Sequence, residues 1–215
     1  MSFFSINSPI YRFMVKITDI LVLSLLWLLC SLPIVTIGAS TTAAYYVGLK
    51  LVVNEENYVS KMFFKAFRDN FLKGTFLGIL SLFFGYILWV NYNYCFRIAP
   101  ERPVGMIVCT IIGTVIYIFS FLYAFALTAR YENTIFGMIR NSFLLSLRYI
   151  FRTVIILVMM AAVLAIGLWN TTTIFLFLLL GPGAIVYISS AYILKIFHKT
   201  EEKERKRSNS EEISD

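Results

Sequence analysis

Charge is what this sequence has least of. Asp, Glu, Lys and Arg make up 14% of its 215 residues, where a soluble domain carries about 25%. There is a single histidine, His198, and the three cysteines, Cys30, Cys95 and Cys109, lie far apart. That scarcity leaves no metal-ligand spacing and no redox pair, so neither a metal nor a cofactor is expected. Outside the tail the only acids are Asp19, Glu55, Glu56, Asp69, Glu101 and Glu132. None falls in the middle of an apolar run, so no proton relay through a bilayer is written here. Glu55 and Glu56 are adjacent, and adjacent helical positions do not face each other. With no acid–base or nucleophilic set, no catalytic residue is assigned and the chain is read as a non-enzyme. A net charge of +7 raises nucleic acid as a partner. The bases are scattered between apolar runs and the tail from Lys195 onward is neutral, so nucleic acid is set aside.

Apolar residues fill the space that charge leaves: 59% of the chain is hydrophobic. A helix rising about 1.5 Å per residue needs roughly 20 apolar residues to cross about 30 Å of hydrocarbon. Spans are expected over 17–37, 74–90, 104–129, 153–169 and 172–193. The fold class is therefore all-α, a polytopic helical membrane protein with five transmembrane helices. A shorter sixth, 39–53, reaches only about 22 Å. Residues 1–195 form one transmembrane domain, and 196–215 a charged tail, helical at first and then fraying. Counting Lys and Arg by loop sets the orientation. With five spans, fifteen of the nineteen fall on one face; with six, seventeen do, the N-terminus joining them. Either way the tail and the loops after 53 and 130 are cytoplasmic by the positive-inside rule.

Those two loops are amphipathic. In the first, Lys61, Lys65 and Arg68 oppose Phe63, Phe64, Phe67 and Phe71; in the second, Arg148 and Arg152 oppose Ile139, Phe143 and Leu147. Such helices lie in the interface with the basic side on lipid headgroups, or they dock a cytoplasmic partner. "FFKAFRDNF" (63–71) also lines up with "FLLSLRYIF" (143–151), which suggests a repeated unit of span, amphipathic helix and returning span.

"CSLPIVTIGASTTAAYY" (30–46) interrupts an apolar run with proline and hydroxyls but no charge. Pro33 ends or kinks the first span, Gly38 is a C-terminal stop, and Ser40, Thr41 or Thr42 cap the next helix. The same hydroxyls at a helix N-terminus are candidate ligand-binding groups, together with Gly181 and Gly183 of "GPG", which breaks the last span. The alternatives are a self-capped hairpin tip and a packing kink. Gly74-x-x-x-Gly78 and Ala161-x-x-x-Ala165 permit close helix approach, within the chain or across a homodimer seam. Trp89, Trp169, Tyr92, Tyr94 and Phe96 read as an interfacial aromatic belt, with sugar stacking as the alternative.

From Phe3 to Phe71 the chain resembles the YesL family of bacterial membrane proteins, most densely at Ser8-Pro9, Asp19–Trp27, "CSLPIVTIGAST" and "FFKAFRDNF". No reaction or ligand is established for that family. The resemblance implies a multi-pass protein of the bacterial plasma membrane, often encoded beside carbohydrate uptake systems. The expected role is accessory to such a system, with a carbohydrate ABC transporter component as partner. The alternative is a small-solute permease in its own right.

Overall fold

The computed structural model describes residues 9–55, 58–98 and 104–212, and among these it holds helices and turns with no strand. The helices are α1 (Pro9–Ser31), α2 (Ile37–Val52), α3 (Val59–Asp69), α4 (Phe71–Asn93), α5 (Val104–Phe121), α6 (Ala124–Arg130), α7 (Ile135–Arg148), α8 (Ile150–Gly167) and α9 (Thr171–Glu212). Five stretches are long and apolar enough to cross a membrane: Phe13–Ser31, Phe71–Arg97, Val104–Arg130, Ile150–Gly167 and Thr171–Glu202. The chain is an all-α polytopic membrane protein.

The break after α1 corrects the expected first span, which does not run on to Ile37. Proline has no N–H and disfavours the helical conformation in the residue before it. Pro33 is extended, with φ −75° and ψ 118°. The carbonyls this exposes are met by Thr36, whose Oγ1 lies 2.6 Å from the Cys30 oxygen and 2.8 Å from that of Pro33. α2 then starts at Ile37. Gly38 is therefore not a stop, and Ser40, Thr41 and Thr42 are not caps but lie inside the helix. Thr41 and Thr42 donate back to the Ile37 and Gly38 carbonyls, at 2.8 and 2.9 Å.

α2 returns alongside α1. Trp27 Nε1 donates to Thr41 Oγ1 at 3.1 Å near one end of the pair, and Lys16 Nζ donates to the Leu51 carbonyl at 2.9 Å near the other. The start of α1 and the end of α2 thus share one end of the bundle. α1, α3, α4, α6 and α9 enclose α2, and Ala39, Ala43, Ala44 and Val47 are wholly buried. A helix covered by protein on all sides needs neither great length nor a lipid-facing surface. It needs small residues. A Cβ on Gly38 would stand 2.1 Å from the Gly74 carbonyl oxygen and 2.6 Å from Gly78 Cα, so Gly74-x-x-x-Gly78 of α4 meets α2 backbone to backbone. Ala161 and Ala165, by contrast, are exposed on α8.

The unit α2–α3–α4 recurs in order as α6–α7–α8. A single residue joins surface helix to returning helix in each, Asn70 in the first and Tyr149 in the second. The helix expected over 104–129 is interrupted at Leu122–Tyr123, and the cause is a side chain inserted into the backbone ladder. In an unbroken helix the Tyr123 N–H would donate to the Phe119 carbonyl. Here Ser142 Oγ from α7 stands between them, accepting from Tyr123 N at 3.1 Å and donating to Phe119 O at 3.0 Å. Ser146 gives that carbonyl a second donor at 2.9 Å.

α9 is one helix through Pro182, so "GPG" does not break the last span. The Gly183 N–H donates to Ser24 Oγ of α1 at 2.8 Å, and a Cβ there would meet the Ile20 carbonyl at 2.4 Å. The feature is a packing point between α1 and α9.

Candidate functional site: the charged end of the bundle

Nearly all described charge gathers at one end: around Lys16 and Lys50, on α3, from Arg130 to Arg152, and on α9 beyond Leu194. At the opposite end Arg97 is charged, and Trp89, Tyr92, Tyr94, Phe96 and Trp169 are exposed, as a belt of amphipathic rings requires. Lys16 ties three helices together at the charged end. Besides capping α2 it lies 5.6 Å from the Tyr187 ring of α9. A cation on the last carbonyls of a helix satisfies orphan acceptors and the helix dipole. Sequence reasoning missed this role, because a lysine before an apolar run reads as a span boundary.

The two amphipathic helices bury differently composed faces. α3 buries Val59, Phe63 and Ala66 in the core, with Met62 and Phe67 packed behind them. Its outer surface carries Lys61, Phe64, Lys65, Arg68 and, on the next helix, Leu72, all exposed. Phe63 and Phe67 therefore face protein rather than the acyl boundary expected of them. α7 differs. Its buried stripe is Met138, Ser142 and Ser146, while Phe136, Leu144 and Leu147 are exposed. Of the stripe Ile139, Phe143 and Leu147 proposed from sequence, Ile139 packs against the cluster of Leu77, Phe121 and Ala124. Phe143 is half-buried with its ring 6.5 Å from that of Phe119, and Leu147 is exposed. The fully buried positions beside them go to two serines whose hydroxyls serve the broken helix.

Three cavities open at this end. The first, about 430 Å³, lies between α7 and α9, with Leu127, Met138, Leu145 and Phe197 as apolar wall and Glu132, Asn141, Arg148, Thr200 and Glu201 as polar lining. A latch forms one side of it. Glu201 of α9 accepts from Arg130 Nη2 at 3.1 and 3.3 Å and from the Tyr131 hydroxyl, while the Arg130 guanidinium lies 5.6 Å from the Phe197 ring. Thr200 donates to the Tyr149 hydroxyl at 3.2 Å. A second cavity, of about 440 Å³, is lined by Lys50, Glu55, Arg130 and His198. A third, of about 410 Å³, lies between α1 and α3 at Asp19 and Tyr58. In the second, Lys50 bonded to Glu55 at 2.5 Å holds that carboxyl below the usual carboxylate range. Glu56 lies outside the described residues.

The residues proposed from sequence fall into separate places. Ser40 is buried without a hydrogen-bond partner, and Thr41 and Thr42 are held as described. Gly181 and Gly167 leave the slot that the Phe177 ring fills, and Gly183 abuts α1. None of these lines the three cavities. Lys61, Lys65, Arg68 and Arg148 are exposed at the charged end. Arg152 is not: its Nη1 is enclosed without a partner, and its guanidinium lies 6.0 Å from the Tyr149 ring, which Arg148 approaches to 5.8 Å. Among the described residues no group of three His, Cys, Asp or Glu could hold a metal.

Residues 20–92 match a family described as a protein of unknown function, DUF624. The match runs from α1 through the enclosed α2 and the outward-facing α3 to the last turn of α4. No curated protein and no solved structure matches the chain.

Proposed function

We propose that the chain is a non-catalytic, YesL-type subunit of the bacterial plasma membrane that docks a cytoplasmic component of a carbohydrate uptake system through α3. One observation carries the docking: the apolar face of α3 is already spent on the protein core. An interfacial anchor needs that face for lipid. With Phe63 wholly buried, the outer stripe of Lys61, Phe64, Lys65 and Arg68 is left for something other than anchorage. Basic residues interleaved with an aromatic suit an acidic protein groove. The cytoplasmic side follows from the asymmetry of charge. The carbohydrate system, and a transporter ATPase or permease as its docking component, come from the YesL resemblance alone.

The test is affinity purification in mild detergent, comparing the native chain with Lys61→Glu/Lys65→Glu/Arg68→Glu. The native chain should recover an uptake-system component and the variant should lose it, with both folded. Recovery indifferent to the triple reversal would remove α3 from the interface. Sugar flux by the protein alone in proteoliposomes would replace the reading with a permease. Gly183→Leu is a poor probe of such a permease, since its side chain meets the α1 backbone before it meets any solute.

A further inference from the structure

We propose that the cavity between α7 and α9 is a binding site for one aminophospholipid, a lipid whose headgroup carries both a phosphate and a primary amine. Its volume, about 430 Å³, is within the range that holds a headgroup. Its position argues for a lipid. Leu144 lines it and is half exposed, Phe136 and Leu147 are exposed on the same helix, α7, and Phe151 is exposed at the start of α8. α7 therefore shows an apolar outer face to its surroundings, so acyl chains would lie against the cavity's rim. Burying that rim needs hydrocarbon, which a soluble ligand does not bring.

The charges within the cavity select the headgroup. Arg148 and Glu132 both line it, and among the described residues neither has an ion-pair partner. The remaining carboxylate, Glu201, is engaged by Arg130 and Tyr131. An uncommitted guanidinium is a phosphate donor. An uncommitted carboxylate in the same cavity repels a purely anionic headgroup and attracts an ammonium. Asn141 and Thr200 supply further polar atoms to the lining. The basic surface outside would draw anionic lipids without selection; this site would select against them.

Native mass spectrometry of the full chain, loaded with equal phosphatidylethanolamine and phosphatidylglycerol of identical acyl chains, tests this. One phosphatidylethanolamine should be retained over phosphatidylglycerol by roughly two- to fivefold, the worth of one exposed ion pair. Glu132→Gln should bring the ratio to one. Arg148→Ala should lower retention of both lipids, and Arg140→Ala, an exposed cation outside the cavity, should change neither. All three positions are on the surface, and an unchanged melting temperature for each variant confirms that it is folded. Equal retention by the native chain, or a preference that survives Glu132→Gln, overturns the proposal. Displacement of the lipid by an equal concentration of free phosphoethanolamine would overturn the lipid as ligand and leave the soluble headgroup in its place.

Discussion

Gly38 shows how one missing methyl group can set a helix's position. Its neighbours are backbone atoms of Gly74 and Gly78, which cannot swing aside as a flexible side chain would. Gly38→Leu should therefore destabilise the detergent-solubilised protein by about 3 kcal/mol or more, the upper end for overpacking. Gly105→Leu, with nothing within 4 Å of the added atom, should leave the thermal midpoint unchanged. Ser142→Ala should cost about 1 kcal/mol, the scale of a polar contact in a membrane protein, and let α5 and α6 straighten into one helix. Exchange of the Tyr123 amide with deuterium would report it. The Lys50–Glu55 pair adds a pH dependence with a fixed sign. Its carboxyl is lowered when folded, so the pair supports the fold above the ordinary carboxylate pKa and is lost as pH falls through the lowered value. Glu55→Gln should match the native chain in acid and fall slightly below it at neutral pH, read as a difference in melting temperature. Sequence alone marked Gly74 and Gly78 as an approach motif and left their partner open, because Gly38 follows a proline and reads as a stop. Ser142 had no such marker. A serine that repairs a ladder two helices away leaves no periodic trace.

The helices themselves were legible wherever composition alone decides, namely in the five long apolar runs. Their ends were less so. α1 stops at Ser31 because proline sets the limit locally, whereas α5 stops at Phe121 on account of another helix. The amphipathic pair was recognised from charge and aromatics, yet which face turns inward depends on neighbours. α3 meets α1 and α2 with its apolar side, and α7 meets α5 and α6 with isoleucines and two serines. The outer surfaces also differ, Lys65 on one helix and Leu144 on the other, and this makes a prediction. Cysteines at Lys65 and at Leu144 in a cysteine-free background should react differently, Lys65→Cys with a charged aqueous maleimide and Leu144→Cys preferentially with a lipophilic one. Equal aqueous labelling would mean that both helices lie in water and that the cavity rim is wet. The candidate site was only half visible in advance. Arg148 was singled out and Asn141 shares its helix face, but Glu132 and Thr200 come from segments that only the fold brings beside them.

For the whole molecule, the antiparallel course of α1 and α2 places the start of α1 beside α3. Ser60→Cys and Asn170→Cys, both exposed and at opposite ends, should label from opposite sides of sealed vesicles, Ser60 from the cytoplasmic side. Labelling of both from one side would overturn the bundle's polarity. A label at Ser40 cannot report on sidedness, since that position is sealed inside the protein. Hydropathy could not decide whether 39–53 returns along the first span. Its shortness and its hydroxyls argue against a lipid-facing helix, and they are also what a helix enclosed by its own chain looks like.

That enclosure bears on how the protein is made. α2 leaves the ribosome well before α9, yet α9 is one of the walls around it. Throughout synthesis the nascent chain holds a helix poorly suited to lipid with one flank still open. The enclosure closes only when α9 packs over α2, and a chain cut short before then would expose its own centre to the proteases that patrol the bilayer.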